Sequence, residues 1–149
     1  GLRRAGDTLV QGHPMLLREL ITNLVDNALH YTPRRGTVTV RVVPDPFGQV
    51  VVLQIEDSGP GIPLAERDLV FQPFYRALGT TVDGSGLGLA IVAEIAQQHG
   101  TTVVVDDART PVQIPPGEGP GARFTIRLRH VSSGTPSDVE SSSALHQAP

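Results

Sequence analysis

Apolar residues recur every three or four positions between His13 and Pro33, in the most regular hydrophobic pattern of the chain. Such spacing places side chains on one face of an α-helix, which can then be buried against a core. A proline near the first turn and a Thr-Pro pair at the far end are typical of helix boundaries. The pattern predicts a helix over residues 13–30 whose buried stripe comprises Leu16, Leu17, Leu20, Ile21, Leu24, Val25 and Ala28.

Shorter stretches rich in β-branched residues predict strands at residues 8–11, 37–43, 50–56, 101–105 and 123–129. The stretch 50–56 is almost continuously apolar and is expected in the middle of a sheet. Helical patterns at 64–70 and 87–99 complete the order α-β-β-α-β-β. Because consecutive strands follow one another as hairpins, this order predicts an α+β fold. We expect a two-layer α/β sandwich, with a mixed, mostly antiparallel sheet and helices on one face.

Composition narrows the choice of chemistry. The chain has 149 residues and a net charge of −3, which predicts one soluble globular domain at residues 1–131 and no strong nucleic-acid footprint. The Ser-rich tail, residues 132–149, is expected to be disordered. Cysteine is absent, which excludes disulfides and thiolate metal sites. All 12 basic residues are Arg. The absence of Lys excludes a P-loop, a protein-kinase fold and a Schiff-base enzyme.

Two asparagines, Asn23 and Asn27, lie one helical turn apart beside the apolar stripe. An Asn oxygen suits a hard cation such as Mg²⁺, which takes few protein ligands and leaves other positions to water and phosphate. The alternative interpretation is two solvated side chains on a surface helix. The spacing alone does not decide between them.

Two glycine motifs follow. Asp57-x-Gly59-x-Gly61 comes directly after the central strand, where a carboxylate could accept a hydrogen bond from an exocyclic amine and glycines would leave room for a flat ring. An ordinary turn would have the same sequence. Residues 84–89, GSGLGL, open the second amphipathic helix, where free backbone amides and the helix N-terminus could hold an anion. A flexible linker is the alternative there.

Phe71-x-Pro73-Phe74 precedes residues 75–85, which have no apolar period and are predicted to be mobile. The two rings are expected to pack in the core or to anchor one end of a lid.

These four motifs, in this order, resemble those of the catalytic, ATP-binding domain of bacterial two-component sensor histidine kinases, within the superfamily that includes gyrase, Hsp90 and MutL. That family calls them the N, G1, F and G2 boxes. The resemblance covers about residues 7–130 and implies the Bergerat-type ATP-binding fold, with an ATP lid at about 75–88.

The resemblance also implies roles for individual residues in binding ATP and Mg²⁺. Asn27 matches the direct Mg²⁺ ligand, and Asn23 matches the residue that supports the metal–phosphate site. Tyr31 would pack near the adenine or ribose. His30 stands where the family usually has a Lys that contacts phosphate. Arg76 stands where a basic residue often faces the γ-phosphate.

For the base, the resemblance implies that Asp57 reads the adenine amine, with Gly59 and Gly61 beside it and Ile62 lining the pocket. Thr125 matches a small polar residue near adenine. The triphosphate cradle would be formed by Gly84, Ser85, Gly86, Leu87, Gly88 and Leu89.

Asn23 further implies a difference from the gyrase and Hsp90 branch, in which a Glu activates water. An amide cannot act as a general base, so the γ-phosphate is expected to be kept for a protein acceptor. None of the five His residues has the sequence context of a phosphoacceptor. The acceptor would lie on a separate dimerisation domain of an inner-membrane-anchored sensor, for relay to a response regulator.

This reading makes the chain a cytoplasmic fragment that is monomeric, touches no membrane directly and does not phosphorylate itself. Two alternatives remain: a non-catalytic nucleotide-binding regulatory module, and a Ser/Thr kinase of the anti-sigma-factor type from the same superfamily.

Overall fold

The structure is a computed structural model, and it describes residues 9–45, 47–75 and 86–131. The predicted lid and the Ser-rich tail fall largely or wholly outside these ranges. Within them, no helix is long and apolar enough to cross a membrane.

The strands that the structure describes form one antiparallel arrangement. They are β1 (Leu9–Val10), β2 (Val38–Asp45), β3 (Val50–Asp57), β4 (Val103–Asp107) and β5 (Ala122–Val131). The order is β1-β5-β3-β2, and β4 also pairs with β5. The long strand β5 therefore pairs with β3 along one edge, and with β4 and β1 in succession along the other. β3 lies between β2 and β5, as its continuous apolar sequence predicts.

Two α-helices, α1 (Pro14–Tyr31) and α2 (Gly88–Gln98), pack against each other and against the sheet. Helix α1 begins with Pro14 at its first position. It ends where the backbone N–H and the hydroxyl of Thr32 both donate to the carbonyl oxygen of Ala28, at 3.0 and 2.6 Å. This hydroxyl bond and the following Pro33 stop the helix where the sequence predicts.

The core lies between the helices and one face of the sheet. Leu20, Leu24 and Ala28 of α1 are fully buried, which confirms the center of the predicted stripe. The opposing sheet face presents Leu53, Ile55, Phe124, Ile126 and Leu128. Ile21 is an exception, because 38% of it remains exposed.

The opposite sheet face, here called the outer face, carries the alternate residues of each strand. Its pairs across β3 and β5 include Glu56 with Arg123 and Gln54 with Thr125. Glu56 forms ion pairs with Arg41 of β2 at 3.6 Å and with Arg123 at 3.2 Å. Polar side chains on this face and apolar ones on the other explain why a single register is favored.

The predicted helix at 64–70 is replaced by two 3₁₀ turns, Leu64–Glu66 and Leu69–Phe71. The backbone N–H of Glu66 donates to the carbonyl of Pro63, three residues earlier. Arg67 donates from Nε to the carbonyl of Ile62 at 3.0 Å and pairs with Asp107. Arg67 thereby ties this segment to the end of β4.

Candidate functional site

Asp57 ends β3 and is 6% exposed, an unusual position for a carboxylate. Its Oδ1 accepts hydrogen bonds from the backbone N–H of Gly59 at 2.8 Å and of Ala122 at 3.2 Å. Burial raises the pKa of Asp57 above its ordinary value of 3.8, while these two bonds and the charge of Arg109 oppose the rise. Within the described ranges no donor reaches Oδ2. One carboxylate oxygen is therefore fixed by the protein, and the other is left for an external donor such as an amine.

The glycines of the 57–61 motif are required by close backbone contacts. A Cβ on Gly59 would lie 2.5 Å from the carbonyl oxygen of Tyr31, at the end of α1. Gly61 has a φ of 81°, and a Cβ there would lie 2.8 Å from Pro120 Cγ. The space that these glycines leave is thus filled by protein, which differs from the predicted role of making room for a flat ring. Ile62 is half-buried against the core.

The two asparagines of α1 lie in different surroundings. Asn23 donates from Nδ2 to the carbonyl of Glu19 at 3.0 Å, and its Oδ1 lies 3.4 Å from the position of a Cβ on Gly88. The start of α2 therefore packs against the Asn23 amide. Asn27 is half-buried, and its side chain has no hydrogen-bond partner in the described part of the chain.

His30 is exposed, with its Nδ1 2.7 Å from the carbonyl oxygen of Asp26. A carbonyl oxygen only accepts, so Nδ1 must carry the proton. In the neutral ring Nε2 is then an acceptor, and it becomes a donor only when the ring is protonated. Unlike a Lys at this position, neutral His30 cannot donate to a phosphate from Nε2.

The glycine-rich helix start and the Phe motif meet through their backbones. The N–H of Phe74 donates to the carbonyl of Gly86 at 2.9 Å. Gly86 has a φ of 72°, and a Cβ there would lie 2.9 Å from Phe74 Cα. Phe71 packs edge-on against Phe124 in the core, with ring centroids 6.2 Å apart, whereas 70% of Phe74 is exposed. One ring is thus structural and the other is presented to solvent.

Helix α2 begins at Gly88, one residue later than predicted, with Leu87 as its N-cap and Leu89 half-buried. The remaining predicted members of this cradle, Gly84 and Ser85, lie outside the described residues, as does Arg76.

Thr125 is not brought to the site. Neighbors Phe124 and Ile126 point into the core, so Thr125 lies on the outer face, where it accepts a hydrogen bond from Gln54 Nε2 at 3.3 Å. Ala122 stands beside Asp57 instead. The predicted place of Thr125 near the adenine is therefore wrong, because this residue lies on the outer face of the sheet and Asp57 lies on the other.

Sequence reasoning also missed Ala122, Gly121 and Arg109. The N–H of Gly121 donates to the carbonyl of Gly59 at 2.9 Å, so the segment before β5 forms one wall beside Asp57. The available signal was the alternation of glycines at 117, 119 and 121 immediately before a predicted strand.

A cleft of about 300 Å³ lies behind this wall. It is lined by the ends of three loops, at residues 33–36, 58–60 and 117–119. It shares Gly59 with the site but includes none of Asp57, Asn23 and Asn27. The cleft is therefore next to the predicted site and distinct from it.

Comparisons with known proteins identify the family of the chain. Residues 12–132 match the family model described as "Histidine kinase-, DNA gyrase B-, and HSP90-like ATPase". The chain is 41% identical over 121 residues to the signal transduction histidine-protein kinase/phosphatase MprB of Mycobacterium sp. (strain KMS). That alignment covers 80% of this chain and 22% of MprB, so the chain spans less than a quarter of this relative.

Two solved structures are similar in fold as well as sequence. The mycobacterial sensor histidine kinase MprB is 38% identical with a TM-score of 0.73, over 83% of this chain and 78% of that one. Full-length ShkA, solved in complex with AMPPNP, is 28% identical with a TM-score of 0.62, over 81% of this chain and 23% of that one. The chain belongs to the family of histidine kinase-, DNA gyrase B- and HSP90-like ATPases, and its fold is the α+β fold predicted from the sequence.

Proposed function

We propose that this chain is the ATP-binding catalytic domain of a sensor histidine kinase. The observation that carries the proposal is Asp57, a buried carboxylate whose Oδ1 is held by two backbone N–H groups while Oδ2 has no donor among the described residues. Burying a carboxylate costs free energy unless its oxygens are hydrogen-bonded, so a donor on a ligand that bonds to Oδ2 would offset part of that cost. The similarity to sensor histidine kinases, one of them solved with AMPPNP, supports adenine nucleotide as that ligand.

In this proposal Asp57 accepts a hydrogen bond from the adenine amine, and Ile62 and Tyr31 line the base and ribose end. The backbone amides at the start of α2 hold the phosphates, since a helix N-terminus favors negative charge. Gly84, Ser85 and Arg76 would complete this cradle.

Asn27 is the proposed Mg²⁺ ligand. Its side chain makes no hydrogen bond to any described residue, and no cluster of three or more His, Cys, Asp or Glu occurs in the described ranges to offer another metal site. An amide oxygen joined by phosphate and water is a chemically suitable donor set. Mg²⁺ bound there would neutralize phosphate charge.

The reaction is phosphoryl transfer, in which a lone pair on an imidazole nitrogen attacks the γ-phosphorus. The β–γ bridging oxygen then leaves with ADP. The acceptor His would lie on a separate dimerisation domain, with a response regulator as the next partner. The part played by this chain is to position ATP and to keep water from being activated. Asn23 fits that part, because its amide cannot take a proton from water.

The test measures both steps. ATP titrated with Mg²⁺ into the wild-type chain should bind, and Asp57→Asn should bind about tenfold or more weakly, because the amide can turn its NH₂ toward the adenine amine. Asp68→Asn is the control, since Asp68 is exposed and makes no ion pair with a described residue. Equal affinity in Asp57→Asn and wild type would remove Asp57 from the site.

The second step uses γ-labeled ATP and the acceptor domain supplied as a separate protein. Acid-labile label on that domain is the expected result, because phosphohistidine is hydrolyzed in acid. Acid-stable label would indicate a Ser/Thr kinase. ATP binding without any transfer would favor a regulatory module, a second candidate that the donor arrangement of His30 supports.

The same proposal places this domain on the cytoplasmic side of a membrane-anchored sensor, where ATP is available. Membrane fractionation of cells that express the full-length gene product would test the anchoring.

A further inference from the structure

The connection between β4 and β5 is held in place by one arginine. Arg109 begins the connection, and its backbone N–H donates to the carbonyl of Pro120 at 3.0 Å, which extends the β4–β5 hairpin. The intervening residues, 110–119, contain three Pro and two Gly and only one short 3₁₀ turn, Pro111–Gln113. A segment of that composition needs an anchor if it is to form a fixed wall.

The guanidinium of Arg109 supplies such an anchor. Its Nη2 donates to the carbonyl of Gly119 at 2.5 Å and, more weakly, to the carbonyl of Ser58 at 3.4 Å. Its Nη1 donates to Glu118 Oε2 at 2.8 Å. Nε is buried and has no hydrogen-bond partner among the described residues, so in this part of the chain the bonds of the two Nη groups orient the side chain. The planar fork thus joins the connection to the turn that follows Asp57.

The two segments that Arg109 joins are those that donate to Asp57. Gly59, next to Ser58, donates its N–H to Oδ1, and Ala122 donates from the other side. Gly121 lies between them and packs so closely that a Cβ on it would clash with the carbonyl oxygen of Asp57. Any loosening of the connection would therefore change the direction of the carboxylate.

We propose that Arg109 is a positioning residue of the nucleotide site, which holds the Asp57 carboxylate in the orientation that accepts the adenine amine. This inference rests on the proposed function. Arg109 does not itself contact the ligand; it acts through Ser58, Gly119 and the two N–H donors.

The charge of Arg109 has a second effect. It lowers the pKa of Asp57, against the larger effect of burial. Among the described residues, Arg109 is the charged group that acts on this carboxylate. Arg67 donates to the carbonyl of Ile62, but its charge is paired with Asp107 at the end of β4.

The test compares ATP with purine riboside triphosphate, in which hydrogen replaces the exocyclic amine. The ratio of the two dissociation constants reports the contact between Asp57 and the amine alone. Wild type should favor ATP about tenfold, and Arg109→Met should reduce the preference to about threefold or less. Arg127→Met is the matched control, because Arg127 is exposed on the outer face of β5 and makes no ion pair with a described residue.

A pH series separates positioning from general structural support. In Arg109→Met the loss of ATP affinity on acidification should begin at higher pH than in wild type, since the opposing charge is gone. Arg109→Lys should restore the pH profile but not the full preference for ATP, because Lys lacks the planar fork.

An unchanged preference for ATP in folded Arg109→Met overturns the inference, as does an equal loss of affinity for both nucleotides. If Arg109→Met does not fold, Arg109→Lys decides: a wild-type preference there overturns the inference. If wild type itself shows no preference, the adenine assignment fails, and that outcome is distinct from a failure that appears in the Arg109 variants alone.

Discussion

Asp57 is buried, and the proposed nucleotide site requires its charged form. These two properties have opposite consequences for the stability of the fold and for the binding of ATP. Because burial raises its pKa above 3.8, the folded state keeps the proton at pH values where the unfolded chain has lost it. The contribution of Asp57 to the free energy of unfolding therefore falls as the pH rises through the raised pKa. A site that needs the carboxylate costs stability near neutral pH.

The binding consequence is testable by titration. Affinity for ATP should fall on acidification, beginning above the ordinary carboxyl value of 3.8, because protonated Asp57 loses its charge-assisted bond to the adenine amine. The ratio of the dissociation constants for purine riboside triphosphate and ATP, measured by calorimetry across the pH range, isolates the loss of ATP affinity that is due to Asp57. This ratio should fall as the pH is lowered. A preference that stays constant down to pH 3.8 would contradict this prediction.

Asn27 gives a second prediction for a single residue. Asn27→Ala should abolish the part of ATP affinity that depends on Mg²⁺, because it removes the proposed oxygen ligand. The Mg²⁺-free affinity should be little changed. Arg18→Ala on α1 serves as the control, since Arg18 is exposed. If ATP binding to Asn27→Ala still responds to Mg²⁺ as in wild type, the metal assignment is wrong.

At the level of elements, the connection before β5 is expected to be much less tolerant of change than other turns. Gly121 and Gly100 both have a φ of 69°, so an Ala at either pays the same backbone strain, about 1–2 kcal/mol. A Cβ on Gly121 would also clash with Asp57, whereas a Cβ on Gly100 has no neighbor within 4 Å.

Gly121→Ala should therefore lower both the free energy of unfolding and the affinity for ATP. Gly100→Ala should lower only the free energy of unfolding, because backbone strain is its single effect. Urea denaturation and calorimetry measure the two quantities. If both variants lose the same free energy of unfolding and the same affinity for ATP, the packing of Gly121 against Asp57 contributes to neither quantity.

The elements themselves were largely predictable, because each has a strong period. The stripe containing Leu20 and Leu24 fixed α1, and the apolar run of β3 fixed its central place. The predictions that were wrong or missing concern which face of the sheet a side chain lies on and which distant segments contact each other. Thr125 is a strand residue of the predicted type, but it lies on the outer face. Ala122, three positions earlier, stands beside Asp57, and an odd offset in a pattern of period two changes the face.

The proposed role of Arg109 was not predictable for a different reason. Its partners, Ser58 and Gly119, accept through backbone carbonyls, and carbonyls leave no mark on the sequence. The distance from Asp57 in sequence also hides the contact. The prediction of a helix at 64–70 was wrong. The side chain of Arg67 donates from Nε to the backbone carbonyl of Ile62, and this bond stabilizes the 3₁₀ turns found there.

For the whole molecule, the edges of the sheet bear on its state of association. One edge is formed by β4 and β1, which both pair with β5. β2 forms the other edge, with Val40 and Val42 each 47% exposed. Pro44 lacks an N–H to donate, and Arg41 places a charge on the strand; both features discourage pairing with another strand. The chain should therefore be monomeric at micromolar concentration.

Light scattering would measure this state directly. The double variant Arg41→Val, Pro44→Val should associate or aggregate more readily, because it restores a regular apolar edge. A stable dimer of the wild-type chain, or a double variant that remains monomeric at high concentration, would contradict this view of β2.

The pairing of β1 with the end of β5 has a mechanical consequence. Leu9 lies opposite Val131, so the first residue of β1 and the last residue of β5 meet at one corner of the sheet. Tension between segments attached on the two sides would peel β1 away one residue pair at a time, which requires little force. Asp57 accepts a hydrogen bond from the N–H of Ala122, at the far end of β5. That end is roughly 30 Å from Val131 at about 3.3 Å per residue. Pulling at that corner would leave the proposed nucleotide site undisturbed, and a circular permutant could join the two ends there with a short linker.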